Sequence, residues 1–230
     1  METMDRYGSL LTPDASMVRP LRNEALRPIF EVNAQFLAAI SRSSTEESLC
    51  SDVAAIRNDV ISLNATAREQ IVRGPLLIDA AFEDGEKWTS ARRGLRGSAV
   101  KPRQRSIWFP PAQAAHLAQS TLLLTWYLVR TYPDIAALLL GVQSECAGVI
   151  VDLSIGEVQE IAVRHSDWIR PRWDRMSATW RSLIDTARNQ DESSVGSLVF
   201  RALHLFTADY CRSTLISKAS AIRDGQPTSR

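Results

Sequence analysis

The stretch AQAAHLAQSTLLLTWYLVRTY, residues 112–132, constrains the fold most. It has helical composition and length, and between residues 117 and 129 leucine, tryptophan and tyrosine fall on nearly every face. A helix apolar all round needs cover on several sides, so it is expected at the centre of a core or in a subunit interface. Gln119, Arg130, Tyr132, Pro133 and Asp134 interrupt the apolar run, which therefore falls short of a membrane span.

The rest of the chain supplies helices to surround it. In NEALRPIFEVNAQFLAAIS, Ile29, Val32, Phe36, Leu37 and Ile40 form one stripe, with Pro28 either kinking the helix or opening its main part. Leu49, Val53, Ile56, Val60 and Ile61 repeat at helical spacing, after Thr45 as a plausible N-cap. Asn64 is placed to cap a short helix that ends near Gly74. Ser154 and Glu157 have the spacing of a capping box opening SIGEVQEIAVRH. Two further helices are expected near 174–189 and 193–217. Strand signals are confined to two short arms, LLIDAAFEDG and the segment around Pro171. The expected fold is all-α and multi-helical, organised as two related helical units with short extended arms.

The two halves echo each other at a nearly constant offset. Phe36 and Trp126 are 126 − 36 = 90 apart, and Val60/Ile150, Ile61/Val151, Leu63/Leu153, Asn64/Ser154 and Ile71/Ile161 keep that spacing. After a slip of one residue, Ile78 matches Ile169, Phe82 matches Trp173 and Glu83 matches Asp174. Apolar periodicity alone also produces such echoes, but here a cap and an arm follow in the same order, which favours a duplication. The expected organisation is a flexible leader over 1–22, a first unit over 23–90, a basic linker over 91–106, a second unit over 107–218 with the C-terminal helices, and a flexible tail over 219–230.

Two segments are candidates for binding nucleic acid. ARRGLRGSAVKPRQRS carries Arg92, Arg93, Arg96, Lys101, Arg103 and Arg105 with no acid between them, so it is a candidate for phosphate contact or else a solvated loop. RHSDWIRPRWDR sets Arg164, Arg170, Arg172 and Arg175 beside Trp168 and Trp173. There the arginines are candidates to reach phosphate or base edges, while the tryptophans more readily anchor the arm in the core. The helices on either side of DLS have helix-turn-helix spacing, but Glu157 and Glu160 make the second a poor reader of a DNA groove.

Net charge is +1, with 27 basic against 26 acidic residues, so any basic surface has to be local. The three cysteines, Cys50, Cys146 and Cys211, are widely spaced and form no CxxC, which argues against a zinc module and fits a reducing compartment. His116, His165 and His204 are isolated, and no phosphate-binding loop, dinucleotide fingerprint or HExxH occurs. No catalytic residue, metal site or cofactor is expected, and an enzyme is the least supported class. The opening residues show no signal peptide, and a cytoplasmic location is the expectation.

The segment LLLTWYLVRTYPDIAALLLGVQSECAGVIVDLSIGEVQEIAVRHSDWIRPRW resembles the bacterial flagellar transcriptional regulator FlhD. The matching positions are Leu140, Gly141, Glu145, Ala147, Leu153, Ser154, Ala162, Ile169, Arg172 and Trp173. IFEVNAQFLAAI and ISLNATAREQIVRGPLLIDAAFED resemble the same family in the first half, and GLRGSAVKPRQRSIWF with His116 is faintly similar to its partner FlhC. FlhD is a shorter chain with one such unit, and FlhC carries a four-cysteine zinc site that this sequence lacks. The resemblance implies a transcriptional activator subunit that acts at promoter DNA in a homo- or heteromeric complex, with RNA polymerase as a further partner. The competing reading is a helical adaptor or antiactivator that makes no direct DNA contact.

Overall fold

The computed structural model describes residues 15–42, 51–97, 106, 108–174 and 177–189. Helix α1 spans Ala15–Arg42. Its apolar stripe is buried as expected, with Ile29, Val32, Phe36, Leu37 and Ile40 in the core. Proline punctuation suggests a leader over 1–22, but α1 begins at Ala15 and runs through Pro20 and Pro28. A proline removes one helical hydrogen bond, and packing of Leu26 and Phe30 against the core helps to hold the helix across Pro28.

Helices α2 (Ser51–Ile61) and α3 (Ala65–Val72) follow. Asn64 caps α3 by accepting from the Ala67 N–H at 2.8 Å. The first arm forms strand β1 (Ile78–Ala80), and helix α4 (Gly85–Gly94) follows with Asp84 as its N-cap. The expected linker over 91–106 thus begins inside α4, where Ala91 is buried. The glycines that suggested a break mark the end of the helix.

Helix α5 (Pro111–Thr131) is the long apolar segment. It lies at the centre, packed on α1, on both arms and on helices further along the chain. A short turn α6 (Pro133–Ile135) continues as a π-turn over Ala136–Leu140 and stops at Gly141, whose φ of 71° favours glycine. Helix α7 (Ser144–Val151) leads to α8 (Ile155–Arg164), which opens on the expected capping box. A 3₁₀ turn (Ser166–Trp168), strand β2 (Ile169–Pro171) and helix α9 (Ser177–Arg188) complete the described chain. The expected N-cap at Thr45 and the helix over 193–217 lie outside the described residues. Among the described residues the fold is all-α apart from the β1–β2 pair.

The order long helix, helix, capped short helix, strand, helix occurs twice, the second time with α6, the π-turn and the 3₁₀ turn interposed. Paired positions also share their environment. Val60 and Ile150, Leu63 and Leu153, and Ile71 and Ile161 are all buried, whereas Ile61 and Val151 are both exposed. Packing between the halves is reciprocal. Helix α4 lies on α7 and α8, while α9 lies on α2 and α3. Each final helix therefore completes the core of the opposite half. A single cluster of buried residues runs from Ile29 to Ala187.

Candidate nucleic-acid interface

Of the two basic candidates, the arm that begins at the end of α8 has its described arginines engaged within the chain. Arg164, in the last turn of α8, has a side chain only 15% exposed. Its Nη1 donates to the Gly94 carbonyl at 3.0 Å, and its Nη2 pairs with Glu160. A cation there suits the carbonyl end of α4, where the helix dipole is negative.

Arg170 lies directly opposite Asp79 in the β1–β2 pair. Nε and Nη2 both reach Asp79 Oδ2, at 2.7 and 2.6 Å, and Nη1 lies 3.8 Å from Asp174. Burial works against the charge. The Asp79 carboxylate with its hydrogen bond, then Asp174 and Glu83, outweigh that and hold the guanidinium above its ordinary range.

Arg172 donates from Nη1 to the Leu139 carbonyl at 3.3 Å and lies 5.4 Å from the Trp173 ring centre. It crosses so close to Gly141 that a Cβ there would collide with the guanidinium. Gly141 thus combines a left-handed turn with a close approach, both of which favour glycine. Arg175 lies outside the described residues.

The tryptophans anchor the arm. Trp173 is buried and makes an edge contact with Trp180. Trp168 stacks on His165 at 4.5 Å and meets Trp88 edge-on at 5.4 Å. Burial holds the His165 pKa below its ordinary value. Asp167 acts in the opposite direction, and Arg164 adds to the lowering.

The other basic run starts at the end of α4. Arg92 pairs with Asp152 at 3.0 Å. Arg93 and Arg96 are exposed, and neither has an ion-pair partner among the described residues. Glu157 is held below the ordinary carboxylate range, first by the Ser154 backbone N–H and hydroxyl, and further by Arg92 and Arg96. Lys101, Arg103 and Arg105 lie outside the described residues.

Acids flank the arm and the start of α4. Two open clefts of about 670 and 660 Å³ have Glu83, Asp84, Glu86, Glu145 and Asp167 in their walls, together with Lys87, Arg93 and Arg170. Arg92 at the end of α4, and Arg164 and Arg170 beyond it, are each paired with an acid. Among the described residues, no group of three or more His, Cys, Asp or Glu side chains suits a metal ion. Burial, then Asp84 and Glu145, push the Cys146 thiol up to about 12, so it stays protonated at neutral pH. No helix of the described residues is long and apolar enough to cross a membrane.

Sequence reasoning passes over two residues. Asn33 is a polar residue within the apolar stripe of α1, and Asp79 is the first of three acids in the arm LLIDAAFEDG. The slipped echo, which sets Ile78 against Ile169, already aligns Asp79 with Arg170. Comparisons with known proteins return no matching family, no matching curated protein and no matching solved structure.

Proposed function

We propose that the chain is a DNA-binding transcriptional regulator of the FlhD type, working as an activator subunit in a complex at promoters. In this reading the two-part helical body is an assembly scaffold. DNA contact is assigned to the basic run that leaves α4, not to the arm after α8. The observation that supports this division is the fate of the arginines. Arg164 and Arg170 are held by internal carboxylates and Arg172 reaches an internal carbonyl. Arg93 and Arg96 instead face solvent at the start of a run that continues through Lys101, Arg103 and Arg105. Arginines and lysines in such a run neutralise phosphates and release counterions, so affinity should fall steeply with salt.

The test is binding of the full chain to a labelled duplex across a salt series. It is run alone and with a candidate partner subunit. Replacing Arg93, Arg96, Lys101, Arg103 and Arg105 with alanine should weaken binding at least tenfold and flatten the salt slope. Arg172→Ala should leave the slope unchanged in protein that remains folded. Absence of binding at low salt in both settings rejects the proposal.

The second reading, an adaptor that contacts protein alone, draws on the acid-lined clefts beside α4. Those walls disfavour phosphate and suit a basic protein surface. In that case the substituted run would leave partner binding intact.

A further inference from the structure

The β1–β2 pair has a symmetry that its sequence numbers make explicit. Ile78 lies opposite Pro171, Asp79 opposite Arg170, and Ala80 opposite Ile169. Asp79 and Arg170 are 91 residues apart. The same offset relates Ile78 to Ile169 and Ala80 to Pro171. Exchanging the two halves therefore maps the ladder onto itself, and the local two-fold axis passes between Asp79 and Arg170.

Other features recur on both sides of this axis, within one residue of the same offset. The indole N–H of Trp88 donates to the Ala81 carbonyl, and that of Trp180 to the Arg172 carbonyl, at 3.1 and 2.8 Å. A non-glycine residue takes up the left-handed region just beyond each strand, Ala81 at φ 55° directly after β1 and Trp173 at φ 58° one residue further on after β2. Glu83 stands four residues beyond Asp79, as Asp174 stands four beyond Arg170. At the centre, however, the equivalent residues carry opposite charges. A two-fold assembly of identical units cannot do this, since its axial position would meet its own copy.

We propose that the Asp79–Arg170 pair is the specificity determinant for pairing between the halves: it admits first half with second half and rejects either half paired with its own kind. Pairing two first halves, each from a different copy, would set Asp79 against Asp79. Pairing two second halves would set Arg170 against Arg170. Both place like charges on the axis, where the Asp79 side chain is 13% and the Arg170 side chain 39% exposed; like charges there repel, and the more buried carboxylates repel more strongly. The chain is thereby a self-paired molecule that closes its own axis. Its remaining surfaces, not this one, are left for partners. This pairing holds whether or not the chain binds DNA.

The test uses the full chain and four samples: Asp79→Arg, Arg170→Asp, the double exchange, and an equimolar mixture of the two single variants refolded together. Each is followed by thermal unfolding and by light scattering coupled to size exclusion. Each single variant should lose about 10 °C in midpoint. The double exchange should recover part of that loss as a monomer, because it restores an ion pair across the axis while the Phe82 N–H loses its Asp79 Oδ1 acceptor. In the mixture, the introduced arginine of one chain can pair with the introduced aspartate of the other. The native Asp79 and Arg170 that remain, one on each chain, can pair likewise. A heterodimer of twice the mass should form there and in neither variant alone. Recovery in both arms carries the proposal, even where the single variants fold poorly alone. Undisturbed single variants would overturn it. So would recovery in neither the double exchange nor the mixture, since the pair would then be an ordinary ion pair tied to its own surroundings.

Discussion

Asn33 is fully buried, and its side chain is used almost completely. Nδ2 donates to the carbonyls of Val72, Gly74 and Pro75 at 3.1, 3.3 and 2.8 Å, and Oδ1 accepts from the Leu77 N–H at 2.9 Å. Those groups belong to the last residue of α3 and to the loop that carries the chain on into β1, where Leu76 and Leu77 are fully buried. A buried backbone group without a partner costs about 1–3 kcal/mol. Asn33→Ala should therefore destabilise by about 3 kcal/mol, and Asn33→Leu by no less, both read by urea unfolding. His165 sets a pH dependence. Its folded pKa lies below the ordinary value because burial disfavours the imidazolium. The unfolded state then binds more protons, so its contribution is present above about pH 6.5 and is lost as pH falls toward the folded pKa. Between about pH 7.5 and 5.5 the wild-type midpoint should fall more than that of His165→Gln. Equal falls would mean that His165 contributes nothing to the pH dependence.

At the scale of elements, short-range chemistry is what the sequence declares. The box at Ser154 is complete, with Glu157 N–H to Ser154 Oγ at 3.3 Å and Ser154 N–H to Glu157 Oε2 at 2.7 Å. Ser154→Ala should cost about 1 kcal/mol, as should Asn64→Ala at the equivalent cap, measured as shifts in denaturation midpoint. These caps, the apolar stripe of α1 and the burial of α5 are legible because each depends on residues a few positions apart. Element boundaries are less legible. Helix α1 starts before residue 22 and α4 enters the basic run, because packing holds a helix together where local punctuation suggests an end. The fate of the arm is half legible. The tryptophans are expected as anchors, and they are anchors. The arginines share that burden, which their neighbours in sequence do not reveal.

At the scale of the molecule, α4 and α9 cross over to complete each other's half, and the two arms meet antiparallel at an axis. The salt-dependent DNA binding and the exclusive pairing of unlike halves that we propose would belong to this whole arrangement, and their tests read whole-molecule quantities. The sequence by itself determined the all-α class, the helix starts marked by caps, the faces that enter the core and the order in which elements repeat. Periodicity and capping act over a turn or two, so they survive in a linear reading. Tertiary structure alone decided that Asp79 meets Arg170, that Asn33 closes the α3–β1 loop, and that Arg164 closes the end of α4. These contacts join residues tens of positions apart. Which groups meet there is set by packing of the two halves and the strand register, and a charge in the chain does not state which carboxylate or carbonyl will take it.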